Sequence, residues 1–212
     1  MKRILRELRH DLREPGLNIT ALPVVSILFL LLSCVVQAQL QQNNTVTLGL
    51  LEVLIPFLGG YASLMLMQGL LDTEGGDILF TYPRSNLYWG IIRQLRLFAV
   101  QVIHVTIVCI CVAGIMHITP LEILLVTLLQ SFAVMAVAFC GVAATRSVSM
   151  GLIILLAFIG VQITLGREFE IFNWLYTLSG HMPTLEEMVG IALRALPTGF
   201  ICGFLGHLWV RS

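Results

Sequence analysis

The chain holds one lysine, Lys2, and no other. A phosphate-cradling P-loop needs Gly-Lys-Ser/Thr, so no standard nucleotide-binding loop can be built from this sequence. Any work driven by ATP must draw on another polypeptide. Charge of every kind is scarce: 11% of residues are charged, against about 25% in a soluble domain. Twelve basic residues balance twelve acidic ones, so there is no basic excess to attract nucleic acid. His-Glu-x-x-His is absent, and His104, His117 and His207 lack ligand spacing, which excludes the common zinc-site patterns. All five cysteines (Cys34, Cys109, Cys111, Cys140 and Cys202) fall in apolar stretches, with no pair in a loop. They read as small packing residues rather than disulfide or metal partners.

What the chain has instead is hydrocarbon. Of its 212 residues 58% are hydrophobic, and the mean hydropathy is +0.93. The apolar segments are about 20 residues long, enough to cross a bilayer core as helices. The expected fold is an all-α integral membrane protein, one transmembrane domain over 1–212. Six spans are expected, near 18–39, 48–70, 95–117, 122–144, 149–166 and 188–209. Lys2, Arg3, Arg6, Arg9, Arg13, Arg84, Arg93, Arg96, Arg146 and Arg211 all fall on one side of that arrangement. Only Arg167 lies in a loop on the other side, and Arg194 is within span six. The positive-inside rule then puts both termini in the cytoplasm. Tyr82, Tyr88, Trp89 and Trp209 gather at the inner interface, Trp174 and Tyr176 at the outer one.

Residues 1–15 form a separate element. Ile4, Leu5, Leu8 and Leu12 make an apolar stripe at helical spacing, charges cover the rest, and Pro15-Gly16 breaks the pattern. This predicts a helix lying in the membrane surface, its basic excess matched to an anionic inner leaflet. Val36-Gln37-Ala38 resembles a signal-peptidase site, but the apolar stretch is long for a signal and Glu7, Asp11 and Glu14 intrude upstream. Span one is therefore read as a membrane helix.

Small residues mark close helix approaches. Ala133, Ala136, Cys140 and Ala144 share a face of span four. Gly199-x-x-x-Gly203 and Gly206 do so on span six. Most such faces serve packing within a chain, with a homodimer seam as the alternative. Polar residues inside spans are costly and so informative. Gln101 and His104 on span three, Gln130 on span four and Gln162 on span five are candidates to line a polar path, or else are hydrogen-bonded within the bundle. Glu52 and Arg194 lie at similar depths from the outer side and form a candidate ion pair. The stretch 167–187 is rich in aromatics and predicts an outer re-entrant or interfacial segment. Thr184 is placed to cap span six, with Glu187 at the capping-box position.

Membrane enzymes with about six spans are disfavoured. A rhomboid-like protease needs Gly-x-Ser-Gly, and Ser179-Gly180 lacks the leading glycine. A prenyl-endopeptidase-like site needs Glu-Glu-x-x-x-Arg, and Glu186-Glu187 is followed by Ile191.

The cytoplasmic segment 72–86 carries the remaining signal. Asp77-x-Leu79-x-Thr81-x-Pro83-x-Ser85 resembles the segment after the second span of ABC-2-type transporter permeases. That family usually has a glycine where this chain has Glu74, and a basic residue where it has Asn86. The whole layout is also similar: an N-terminal surface helix, six spans, a cytoplasmic coupling helix between spans two and three, and short outer helices between five and six. The resemblance implies an export permease in a bacterial plasma membrane, without catalytic residues or cofactor of its own. ATP and Mg would bind a partner ATPase, and a second permease copy, identical or related, would complete the unit. Glu74, Asp77, Ile78, Leu79, Phe80, Thr81, Tyr82 and Pro83 would then form the ATPase-coupling element, with Ile78, Leu79, Phe80 and Tyr82 as apolar anchors. Antibiotics, peptides, lipids or haem are the substrate classes so implied. The rival readings are the small membrane subunit of a vitamin importer and a stand-alone channel or scaffold.

Overall fold

The computed structural model describes residues 24–25, 28–33, 35–36, 45–71, 88–165, 175–176 and 181–211. The expected surface helix at 1–15, the segment 72–86 with its eight coupling candidates, and all of 167–187 except 175–176 and 181–187 lie outside these residues. Within them the protein is all-helical. We number the helices α1 (Thr45–Leu71), α2 (Arg93–Met116), α3 (Pro120–Thr145), α4 (Val148–Leu165) and α5 (Leu185–Arg211). A π-helical turn, Tyr88–Ile92, leads into α2, and residues between 24 and 36 are also helical. Four helices, α1, α2, α3 and α5, are long and apolar enough to cross a membrane; α4 is shorter and largely apolar.

The helix ends follow from local chemistry. His117 closes α2 in the left-handed conformation, at φ 54°, and Ile118 N–H reaches back to the Ala113 carbonyl. Thr119 precedes Pro120, which sits in the first turn of α3, where its missing N–H costs nothing. The Thr119 hydroxyl donates to the Glu122 carboxylate. Arg146, at φ 50°, ends α3. At the start of α5 the expected capping box is present: Thr184 N–H donates to Glu187 Oε2 at 2.7 Å, and Glu187 N–H to Thr184 Oγ1 at 3.3 Å.

The connections 117–119 and 146–147 are so short that α2, α3 and α4 must alternate in direction. Pairs between α1 and α3 ascend together: Glu52 meets Gln130, and Ser63 meets Met135. So do pairs between α3 and α5, with Phe132 beside Gly199 and Phe139 beside Gly206. Helices α1, α3 and α5 therefore begin at one end of the bundle, here called the upper end.

Helix α3 is central and packs against all four others. Its Ala133, Val134, Ala138, Phe139 and Val142 join Leu64, Met67, Leu155 and Ile191 in the main core. Leu51, Ile55, Val105, Val108, Val112 and Ile123 make a second cluster toward the upper end, which Leu30 also enters. Helix α5 is peripheral: only 17% of its span is buried, against 61% for α1.

Glycine makes the tightest approaches. A Cβ on Gly199 would stand 2.2 Å from Phe132 Cε1, and one on Gly206 would stand 2.7 Å from Phe139 Cδ1. Phe132 cannot easily yield, because its ring is held edge-on between Phe98 and Phe200 at 5.4 Å on each side. A Cβ on Gly203 would meet nothing within 4 Å. The small-residue face of α5 thus serves packing on α3 at Gly199 and Gly206, and not at Gly203. On α3, Ala133 and Ala136 are buried and Ala144 is exposed, so that face is used only in part. Gly199→Ala should destabilise the protein by about 1–3 kcal/mol through overpacking. Gly203→Ala should leave it unchanged or slightly more stable. Thermal unfolding in detergent compares the two directly.

Candidate functional site: a buried polar cluster around Leu175

A glutamine in a membrane helix must spend its amide on something buried. Gln130 on α3 is fully buried. Its Nε2 donates to Glu52 Oε1 of α1 at 2.9 Å and to the Leu175 carbonyl at 2.7 Å. Gln162 on α4 completes the arrangement, accepting the Leu175 N–H at its Oε1 at 2.8 Å. Two glutamines from different helices therefore hold both polar groups of one peptide residue.

The depth of that residue gives the bonds their meaning. Gln130 lies ten residues beyond Pro120, about 15 Å along the helix axis. Leu175 is non-helical and buried at that level. Irregular backbone is tolerated so far from water only where protein satisfies it. Helix α4 ends at Leu165, three residues past Gln162, so the chain returns beside the clamp before α5 begins.

Tyr176 follows in the same buried position, at 2% exposure. Burial first, and the Glu52 carboxylate second, push its phenol above the ordinary tyrosine value. The phenol therefore stays protonated and neutral at physiological pH. Its hydroxyl has no hydrogen-bond partner among the described residues, and neither do Gln130 Oε1 and Gln162 Nε2. Tyr176 also lines a cavity of about 520 Å³ with Leu175, Thr184, Glu186, Glu187, Gly190, Ile191 and Arg194. Near its mouth His181 Nε2 lies 3.8 Å from Glu187 Oε1.

The polar residues picked out from the sequence thus divide into groups. Gln130, Gln162 and Glu52 come together around Leu175. Arg194 stands on the cavity that Tyr176 shares, so Tyr176 neighbours both members of the expected Glu52–Arg194 pair. Gln101 belongs elsewhere: its Nε2 donates to the Ile55 carbonyl at 3.2 Å. That carbonyl precedes Pro56 inside α1, and Gly59 leaves room for the amide, since a Cβ there would sit 3.2 Å from Gln101 Nε2. His104, one turn further along α2, is buried. The glutamine amides are therefore used to hold the bundle together. Tyr176, expected among the outer aromatics, is buried beside the clamp, and Arg93, which the sequence marks only for topology, is 2% exposed in the first turn of α2.

A second cavity, of about 330 Å³, lies between α2, α3 and α5. Phe98, Phe132, Phe200 and Phe204 line it, with Gln94 at its edge. It offers dispersion contacts and little else. No family model matches the chain, and no curated protein and no solved structure matches it.

The clamp yields an order of effects. Gln130→Leu removes the bonds to both the Leu175 carbonyl and the Glu52 carboxylate and should cost the most. Gln162→Leu strands one N–H, at about 1–3 kcal/mol. Gln101→Leu should cost least, because the Ile55 carbonyl keeps its place in the helix ladder. Thermal unfolding gives the ranking, and faster amide exchange in the peptide containing Leu175 should accompany the first two only.

Proposed function

We propose that this chain is the membrane-spanning permease subunit of an ATP-driven exporter of the ABC-2 type. The spacing Asp77-x-Leu79-x-Thr81-x-Pro83-x-Ser85 between α1 and α2 carries the reading. With the helical residues between 24 and 36 counted as a first span and α4 as a short fifth, the bundle has six. The arginine distribution then makes the upper end extracellular and leaves both termini in the cytoplasm. Segment 72–86 supplies a coupling helix, with Glu74 and Asp77 to Pro83 meeting a groove on a separate ATPase.

The helices flanking that segment support the lever this role requires. Ser63 on α1 donates to Gln94 on α2 at 2.8 Å, and the same hydroxyl lies 3.2 Å from the Met135 carbonyl of α3. Arg93 is buried one residue before Gln94. A displacement of 72–86 would therefore move two bonded helices together and reach the central one, as a rigid-body switch requires. With no P-loop in this sequence, ATP and Mg would bind the partner. A second permease copy in the same plasma membrane completes the pathway, and the cargo is an amphipathic molecule.

Co-purification tests this reading. The wild-type chain should recover an ATPase from membranes of its own host in a two-to-two complex. Phe80→Asp and Leu79→Asp should abolish the association while leaving the unfolding temperature unchanged. Normal association and ATP-driven transport in both variants would rule out the coupling role.

A further inference from the structure

Two thiols meet on the seam between α3 and α5. Gly199 packs there on Phe132, and Gly206 on Phe139. A Cβ on Gly206 would also stand 3.2 Å from the Cys140 Cα, so the two backbones are in close contact at that level. Cys202 follows Gly199 by three residues and precedes Gly206 by four, which puts it on the same face of α5. The two helices run in the same direction, and helical side chains tilt toward the N-terminus. Cys140 therefore leans back toward the level of Cys202. The two side chains are hydrogen-bonded to each other.

A thiol is a weak donor and a weak acceptor, so this bond adds little to the packing. Its consequence is chemical: it joins two free sulfurs from helices far apart in the chain. A disulfide needs Cα atoms within about 7 Å of each other, and the glycine contacts draw the two backbones together along this seam. Both cysteines are half-buried. Beside Cys202, Ile201 and Phe204 are exposed apolar residues of the peripheral helix, so a reagent dissolved in hydrocarbon can approach. Cys109 differs: it is buried and bonds to Thr127.

We propose that Cys140 and Cys202 form a reversible oxidation site, which reduces a membrane-soluble hydroperoxide and closes as a disulfide between α3 and α5. The first thiol attacks the O–O bond; its sulfur takes one oxygen as a sulfenic acid, and the rest leaves as an alcohol. The second thiol attacks that sulfur, forming the S–S bond and releasing water. The two thiols give up two electrons and two protons, and the hydroperoxide takes both. The product ties the peripheral helix covalently to the central one, and a dithiol reductant restores the pair. The site stands on the α3–α5 seam and its test needs no ATPase, so failure of the export reading would leave it intact.

Peptide mapping supplies the test. The full chain, reduced and placed in nanodiscs of saturated phosphatidylcholine, is treated with excess cumene hydroperoxide, then denatured, alkylated and digested without reduction. Mass spectrometry should find the Cys140 and Cys202 peptides joined and two hydrogens lighter than their sum, with Cys109 and Cys111 alkylated. The unfolding temperature should rise by about 5 °C on oxidation and return with dithiothreitol. Cys140→Ala and Cys202→Ala should each abolish both changes. The map of the unsubstituted chain is sufficient even if a variant folds poorly. Recovery of both residues as free thiols after the treatment, or a disulfide that joins two different copies of the chain, overturns the proposal.

Discussion

The arrangement at the upper end depends on the satisfaction of one buried, non-helical peptide residue, Leu175. In water an irregular backbone bonds to solvent and constrains nothing. In hydrocarbon each unpaired N–H or C=O costs several kcal/mol, so the chain can pass this level only where side chains take both groups. Gln130 and Gln162 do so from two different helices. Their amide orientations are then fixed. The Leu175 carbonyl can only accept and its N–H can only donate, so Gln130 must present its NH₂ and Gln162 its oxygen. Once the Gln130 NH₂ is turned this way, its second hydrogen is what meets Glu52. The carboxylate on α1 is thereby positioned by a requirement that originates between α4 and α5.

The lower half of the bundle is governed by shape. A Cβ on Gly60 would stand 3.0 Å from Val134 and Leu155 side-chain carbons, and one on Gly151 would stand 2.8 Å from Leu64 Cδ2, so both approaches are tight. Between helices in lipid the hydrophobic effect offers little, and close van der Waals packing takes its place. The main core and the glutamine clamp are thus held by different forces. The packed half resists small displacements. The clamped half adds to its own apolar cluster a few discrete bonds, each of which is either made or broken.

That division explains what the sequence disclosed. Hydropathy located the five numbered helices to within a few residues, because it reports how readily their side chains transfer out of water. The capping box of Thr184 and Glu187 was legible because both partners lie within one turn. Gln130, Gln162 and Glu52 were legible as buried polar residues, but their grouping was not, since they are joined through the backbone of a residue whose side chain carries no polar signal. The burial of Tyr176 was not legible for a related reason: an aromatic between two spans reads as interfacial until its packing partners are known. Spacing alone also does not tell which glycine of α5 packs on α3, because that depends on the opposite surface: Phe132 crowds Gly199, whereas a Cβ on Gly203 would meet nothing within 4 Å.

Under the export reading, the clamp bears on how the upper end can open. Separating α3 from α4 there would break at least one of the two bonds that join them through Leu175, with a net worth of about 1 kcal/mol. It would also expose polar groups that lack partners in the closed arrangement: Gln130 Oε1, Gln162 Nε2 and the Tyr176 hydroxyl. Their hydration on opening would offset part of the loss. A cluster that is partly satisfied when closed and fully solvated when open leaves a small difference between the two states. A fully satisfied network would lock the end shut, and an apolar one would make admitting water costly. The incomplete pairing around Leu175 is therefore suited to a movable closure, whereas the glycine-packed half is suited to transmitting force without yielding.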